Sequence, residues 1–252
     1  MGKPFRILTS IALLFLCAVL AAHPAGAQKR YPPIEEAWDA TDYRALVQRI
    51  ENDGLDLPTL SSGSTKPVFE RMVHSDNIPL RMGLNKDLAI TIRYQRLEPL
   101  LQPLHKLIAI YAKEAEKGKP YATELARLKV YASKAGSALL EIIDPFLATL
   151  PKDRRYPAIA AEFDKTKNKV RDIYSELVES MAETKRYSKS DILAMAGGAI
   201  NALPAYQTIL ADPDRQKLMK SLSQQIAAAG DPQVKTVLTE LRDAIEHKRI
   251  KA

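Results

Sequence analysis

The chain of 252 residues has one cysteine, Cys17. It therefore cannot form an internal disulfide, a thiolate metal cage or a Cys-x-x-Cys-His haem attachment. Glycine is scarce, at 10 residues, and neither Gly-x-x-x-x-Gly-Lys nor Gly-x-Gly-x-x-Gly occurs, so the phosphate-cradling loops of nucleotide enzymes are missing. Gly-x-Ser-x-Gly and His-Glu-x-x-His are missing too. The Ser-x-x-Lys acyl-transfer pattern fails at Gly63-Ser64-Thr65-Lys66, where glycine holds the nucleophile position. Four histidines are present, and His74, His105 and His247 are isolated from one another. Spaced-histidine metal binding therefore has little support, and no metal or cofactor is expected. No Asn-x-Ser/Thr sequon exists.

Charge of one sign is also modest. Lys plus Arg number 37 against 30 Asp plus Glu, a net of +7 spread along the chain, unlike the concentrated footprint of a nucleic-acid binder. No nucleic-acid partner is expected. The 46% hydrophobic and 27% charged content is that of a globular protein.

Residues 1–27 have the three parts of a secretory signal: Lys3 and Arg6, the apolar run from Ile7 to Ala22, and the small-residue site Ala25-Gly26-Ala27. The run is short for a bilayer span, which needs about 20 residues. Leu16 before Cys17 does not suit lipoprotein processing, and no twin arginine is present. The expected mature chain starts at Gln28, has no transmembrane span and is periplasmic or secreted from a bacterium.

An irregular, short-helix segment is expected over 28–86 and a helical bundle over 87–252, with 39–86 packed on it as one domain. Tyr31-Pro32-Pro33 leads in, and Trp38 is placed to pin it. Thr41 reads as the N-cap of a helix carrying Tyr43, Leu46, Val47 and Ile50 on one face and stopping at Gly54. Leu55 to Lys86 is rich in Pro, Ser, Gly and Asp, with one helical turn near Val68 to Val73. Such a stretch is functional or flexible.

Beyond it the apolar spacing is helical. Ile90, Leu97, Leu101, Leu104, Ile108 and Tyr111 share a stripe broken near Pro99 and Pro103. Leu88 to Gln95 also alternates as a half-buried strand would; no partner strand is visible, so helix is favoured. Tyr121 to Ile143 is a second stripe with Pro145 as its stop, and Pro157 to Lys185 a third. Ser188 or Ser190 caps a fourth, in which Gly197-Gly198 reads as close helix packing. Asp212-Pro213 and Asp231-Pro232 read as two capped starts of a closing antiparallel hairpin. The fold class is all-α, an elongated antiparallel bundle of about six to seven helices.

Candidate binding residues fall in the loop: Ser62, Ser64, Lys66, Arg71, His74 and Asp76. The serines, Lys66 and Arg71 suit an anion; a capped turn with solvated cations is the plainer reading. His74, Asp76 and a serine are the residue types of a nucleophile, base and orienter; a surface histidine beside a turn aspartate is plainer again. His105 with Met181 or Met195 are the types of a haem ligand pair, though core methionines explain the latter. Cations recur at Lys152, Arg154, Arg155, at Lys165, Lys167, Lys169, Arg171, and at Lys248, Arg249, Lys251, as solvated faces able to touch an anionic membrane surface weakly. The expected function is an exported, non-enzymatic helical protein binding an envelope protein or small ligand through the Leu55 to Lys86 region or a bundle groove. The alternative is a hydrolase-like enzyme using the 61–76 loop.

Overall fold

The computed structural model describes residues 31–81, 88–118, 120–153 and 156–247. The expected signal over 1–27 lies outside them, as do Arg154, Arg155 and the C-terminal cations from Lys248 onward.

Helix α1 spans Ala40–Asp53. Its N-cap is Asp39 rather than Thr41: the Asp39 carboxylate accepts from Thr41 N at 2.7 Å while Asp42 accepts from Asp39 N at 2.9 Å. Two aspartates three residues apart satisfy two orphan N–H groups reciprocally, which a threonine inside the first turn cannot do. Gly54, at φ 60°, ends the helix in the left-handed region as expected. The irregular stretch holds two short helices, α2 (Lys66–Met72) and α3 (Asn77–Arg81). Helix α4 (Ile90–Leu97) passes through a 3-10 turn at Glu98–Leu100 into α5 (Leu101–Glu116). The break thus falls at Pro99, and helix replaces the strand alternative.

Then come α6 (Ala122–Thr149), α7 (Tyr156–Ser180), α8 (Lys189–Tyr206), α9 (Asp212–Ala228) and α10 (Pro232–Glu246). Among the described residues there is no strand. Pro145 does not stop α6. Phe146 lies between Tyr94, 5.3 Å away, and Phe163, 5.2 Å away, and this aromatic contact holds the last turn despite the missing donor. Helix α7 ends at Ser180, five residues before the expected Lys185, in turns leading to Ser188, which caps α8 reciprocally with Asp191. Asp212 is the first residue of α9 and its N-cap is Ala211, without a side-chain bond. Asp231 does cap α10, accepting from Gln233 N and Val234 N.

Helix α6, 28 residues or about 42 Å long, is the centre of the bundle. Tyr94 reaches its C-terminal end at Phe146 and Tyr111 sits 5.6 Å from Tyr121 at its start, so α4–α5 runs antiparallel to it. Helix α7 does too, since Phe163 lies beside Phe146 and Lys129 bonds Ser180. On another side α8 runs parallel to α6, with Thr123 near Asp191 and Tyr206 donating to Ser133 O. Helices α9 and α10 form the closing hairpin, stapled by Arg215, whose buried guanidinium donates to the carbonyls of Leu210, Ile245 and Gln207.

The N-terminal segment is tied down by a buried polar knot. Asn77, fully buried, accepts at Oδ1 from Trp38 N (3.0 Å) and Arg71 Nη2 (2.5 Å) and donates from Nδ2 to Tyr43 Oη, Arg71 O and Met72 O. Tyr43 donates to Met72 O and stacks on Tyr131 of α6, 6.2 Å away. Trp38 packs edge-on to Tyr43 and donates to Pro33 O, so it does pin the lead-in.

Burial raises the pKa values of the buried phenols. Tyr43 lies well above its ordinary value, and Tyr131 and Tyr187 are pushed up to about 12. Burial also raises Tyr174 and Tyr206. A phenol that holds its proton more tightly when folded contributes fully below its unfolded value, about 10, and loses that contribution as pH climbs through the folded value. Alkaline titration should therefore show helix loss between about pH 10 and 12, coincident with a steep late rise in tyrosinate absorbance. Uniform titration near pH 10 with intact helices would refute the burial.

Candidate functional site

The loop residues singled out by sequence are only partly brought together. Ser62 and Ser64 share a hydroxyl contact of 3.0 Å at the exposed loop tip. Lys66 pairs loosely with Glu70 one turn on, at 3.8 Å. Arg71 turns the other way, into the Asn77 knot. His74 and Asp76 do meet, Nδ1 to Oδ2 at 3.5 Å, with side chains 48% and 54% exposed, and Asp76 N donates to the same ring nitrogen at 3.3 Å. No hydrogen bond joins His74 to either serine. A base and an orienter are adjacent, and Ser75 Oγ donates to Asp76 Oδ1 at 3.3 Å, but among the described residues no serine hydroxyl bonds the His74 ring.

The same stretch is bolted to the bundle at its back. Tyr111 Oη donates to Pro58 O at 2.5 Å, and Leu60 N donates to the buried Glu124 at 2.7 Å. Leu55, Leu57, Val68, Phe69, Met72 and Ile78 are all buried. Most of what reads as an open loop is thus core, because its apolar residues find α5 and α6 beneath them.

A concave site forms elsewhere. Helices α5 and α7 both lie against α6, and between them is a groove of about 470 Å³, inside the range of small-molecule sites. Its floor is Leu101 and Ile173; its walls are Glu98 from the 3-10 turn with Gln102, His105 and Lys106 from α5, and Thr166, Lys169, Asp172 and Glu176 from α7. Spacings of three and four put each set on one helix face. Most of the wall is apolar, made by the two floor residues and the methylene stems of the charged side chains.

Several rim charges are already answered by protein groups. Lys106 lies 3.4 Å from Glu51, Asp172 lies 3.4 Å from Arg171, and Glu176 lies 2.9 Å from Lys129. Lys129 is buried on α6 and also donates to Ser180 Oγ at 2.6 Å. That hydroxyl donates in turn to Glu176 O and is buried. A lysine beside a serine resembles a catalytic dyad in composition, but the serine's proton is committed to a backbone carbonyl and neither group lines the groove. The trio therefore clips α6 to α7.

Among the described residues no group of three His, Cys, Asp or Glu is placed to hold a metal. Met181 and Met195 are core side chains, whereas His105 is exposed on the groove wall. The basic run of α7 is largely paired: Lys165 with Glu162, Lys167 with Asp144, Arg171 with Asp172 and Asp214. No described helix is long and apolar enough to cross a membrane.

In sequence Lys169 stands out only within a basic run and His105 only as one half of a haem-ligand pair, and Glu98 has no marked role. Their shared groove depends on helices far apart in sequence, and no local pattern signals it. No family model matches the chain, and no significant match exists among the curated proteins or the solved structures.

Proposed function

We propose that this is an exported, non-catalytic helical protein of the bacterial cell envelope, periplasmic or secreted, that holds a small amphipathic ligand in the groove between α5 and α7. The groove itself carries the reading: a mostly apolar cleft of about 470 Å³ with polar groups converging on it from two helices. The second support is that the apolar residues of the 55–81 stretch are buried against the bundle, while Ser62 and Ser64 make no hydrogen bond to His74. Export rests on the signal pattern of residues 1–27, and mass spectrometry of the mature N-terminus should find Gln28.

Filling the groove tests the reading. Ile173 is half-buried on its floor, so Ile173→Trp should weaken binding of the uncharged dye Nile red at least about tenfold, or 1.4 kcal/mol. Ser62→Ala and His74→Ala should leave it unchanged. Undiminished binding by the tryptophan variant would refute the groove. The His74–Asp76 contact is the one observation favouring a hydrolase; ester turnover abolished by His74→Ala would establish that reading instead.

A further inference from the structure

The rim charges that are left over specify what the ligand's head carries, an inference that rests on the groove reading above. Lys106, Asp172 and Glu176 each have a protein counter-charge. Glu98 on one wall and Lys169 on the other line the groove with no ion pair among the described residues.

Their level along the groove follows from the aromatic contact at its end. Tyr94 and Phe163 are 4.8 Å apart, and α4–α5 runs parallel to α7 because both oppose α6. Glu98 is four residues beyond Tyr94 and Lys169 six beyond Phe163. At about 1.5 Å per residue the two charges are offset along the helices by only about 3 Å. They stand at a similar level on opposite walls, and among the described residues no ion pair joins them. Leu101 and Ile173 continue the floor beyond them toward the opposite end, where Lys106 and Glu176 are already neutralised.

We infer that the groove takes a zwitterionic amphiphile: its cationic group at Glu98, its anionic group at Lys169, and its apolar chain along Leu101 and Ile173. A singly charged head would leave one of the two rim charges facing a desolvated neighbour of no charge or of the same sign, whereas a head carrying both signs answers both. The remaining rim charges balance among themselves and their protein partners, so they select against neither sign.

Titration of the protein with monomeric dodecylphosphocholine, dodecyl sulfate, dodecyltrimethylammonium and dodecyl maltoside tests this. The zwitterion should bind most tightly, by about fivefold over either singly charged head, the scale of an exposed ion pair. Glu98→Gln should shift the preference toward dodecyl sulfate, and Lys169→Gln toward the trimethylammonium head. Lys169 is exposed and Glu98 half-buried without an ion pair among the described residues, so such changes leave stability within about 0.5 kcal/mol. Phosphocholine without a chain should not bind at concentrations that saturate with the full amphiphile; equal binding would overturn the amphiphilic part. Equal affinity for all four heads, still lost in Ile173→Trp, would overturn the head-group inference and leave the groove standing. Affinity indifferent to Ile173→Trp would overturn the groove itself.

Discussion

Asn77→Ala should lower the free energy of unfolding by about 3–5 kcal/mol. The Asn77 amide satisfies Trp38 N, Arg71 O and the Arg71 guanidinium at once, in a fully buried position. Removing it orphans Trp38 N and the Arg71 guanidinium, each at about 1–3 kcal/mol, whereas Arg71 O still accepts from His74 N at 3.2 Å. Met72 O is spared, because Tyr43 still donates to it. Arg71 Nε already has no partner among the described residues. Losses on this scale lower the melting temperature by about 10 °C in a chain of this size. The damage should be graded along the chain: hydrogen exchange should speed first in Ala40–Asp53 and Lys66–Met72, while the amides of α6 stay protected. A change within about 0.5 kcal/mol would mean that the N-terminal segment is not held by this knot.

Glycine-to-alanine substitutions should have opposite signs at two helix-interior positions. At Gly136 of α6 an added Cβ would collide with Tyr206 Oη and come within 2.8 Å of Val170 Cγ1. Neither neighbour can yield easily. Tyr206 is fully buried, stacked 4.4 Å from Tyr174, and its hydroxyl donates to Ser133 O at 2.9 Å. Overpacking costs about 1–3 kcal/mol, and displacing the hydroxyl orphans a buried group, while alanine returns about 1 kcal/mol of helix propensity. Gly136→Ala should thus destabilise by about 2–4 kcal/mol. At Gly197 nothing lies within 4 Å of the same atom, so Gly197→Ala should stabilise by about 0.5–1 kcal/mol. Urea unfolding of the two variants checks both. Its neighbour Gly198 is the one in close packing, since its Cβ would sit 2.7 Å from Val130 Cγ1.

That glycine pair shows where sequence reading stops. Both look alike as interior helix glycines, and only the identity of the facing helix separates them. The apolar stripes were legible: Leu125, Leu128, Ala132, Ala135, Leu139 and Ile142 are all buried as their spacing requires. The stripe did not reveal that Tyr131, Ala138, Leu140 and Ile143 are buried as well, so the central place of α6 was hidden. Caps erred by one or two residues at Asp39 and Ala211 because several aspartates and a threonine compete locally for the same role. Proline was over-read at 145, where tertiary contacts of Phe146 outweigh one lost bond.

The candidate site was less legible. Asn77 sits in a run of turn-forming residues and carries no mark of burial in its sequence context. The groove needs two helices separated by the whole of α6 to flank that helix, and nothing local to either encodes that arrangement. The serine loop drew notice through composition, yet its neighbours are what anchor it.

The most direct test of the groove is amide NMR of the protein during titration with dodecylphosphocholine. The account predicts saturable shift changes at Leu101, His105, Lys169 and Ile173, with the amides of Ser61 to Asp76 unmoved. Changes confined to Ser61 to Asp76, with the α5 and α7 amides still, would contradict it.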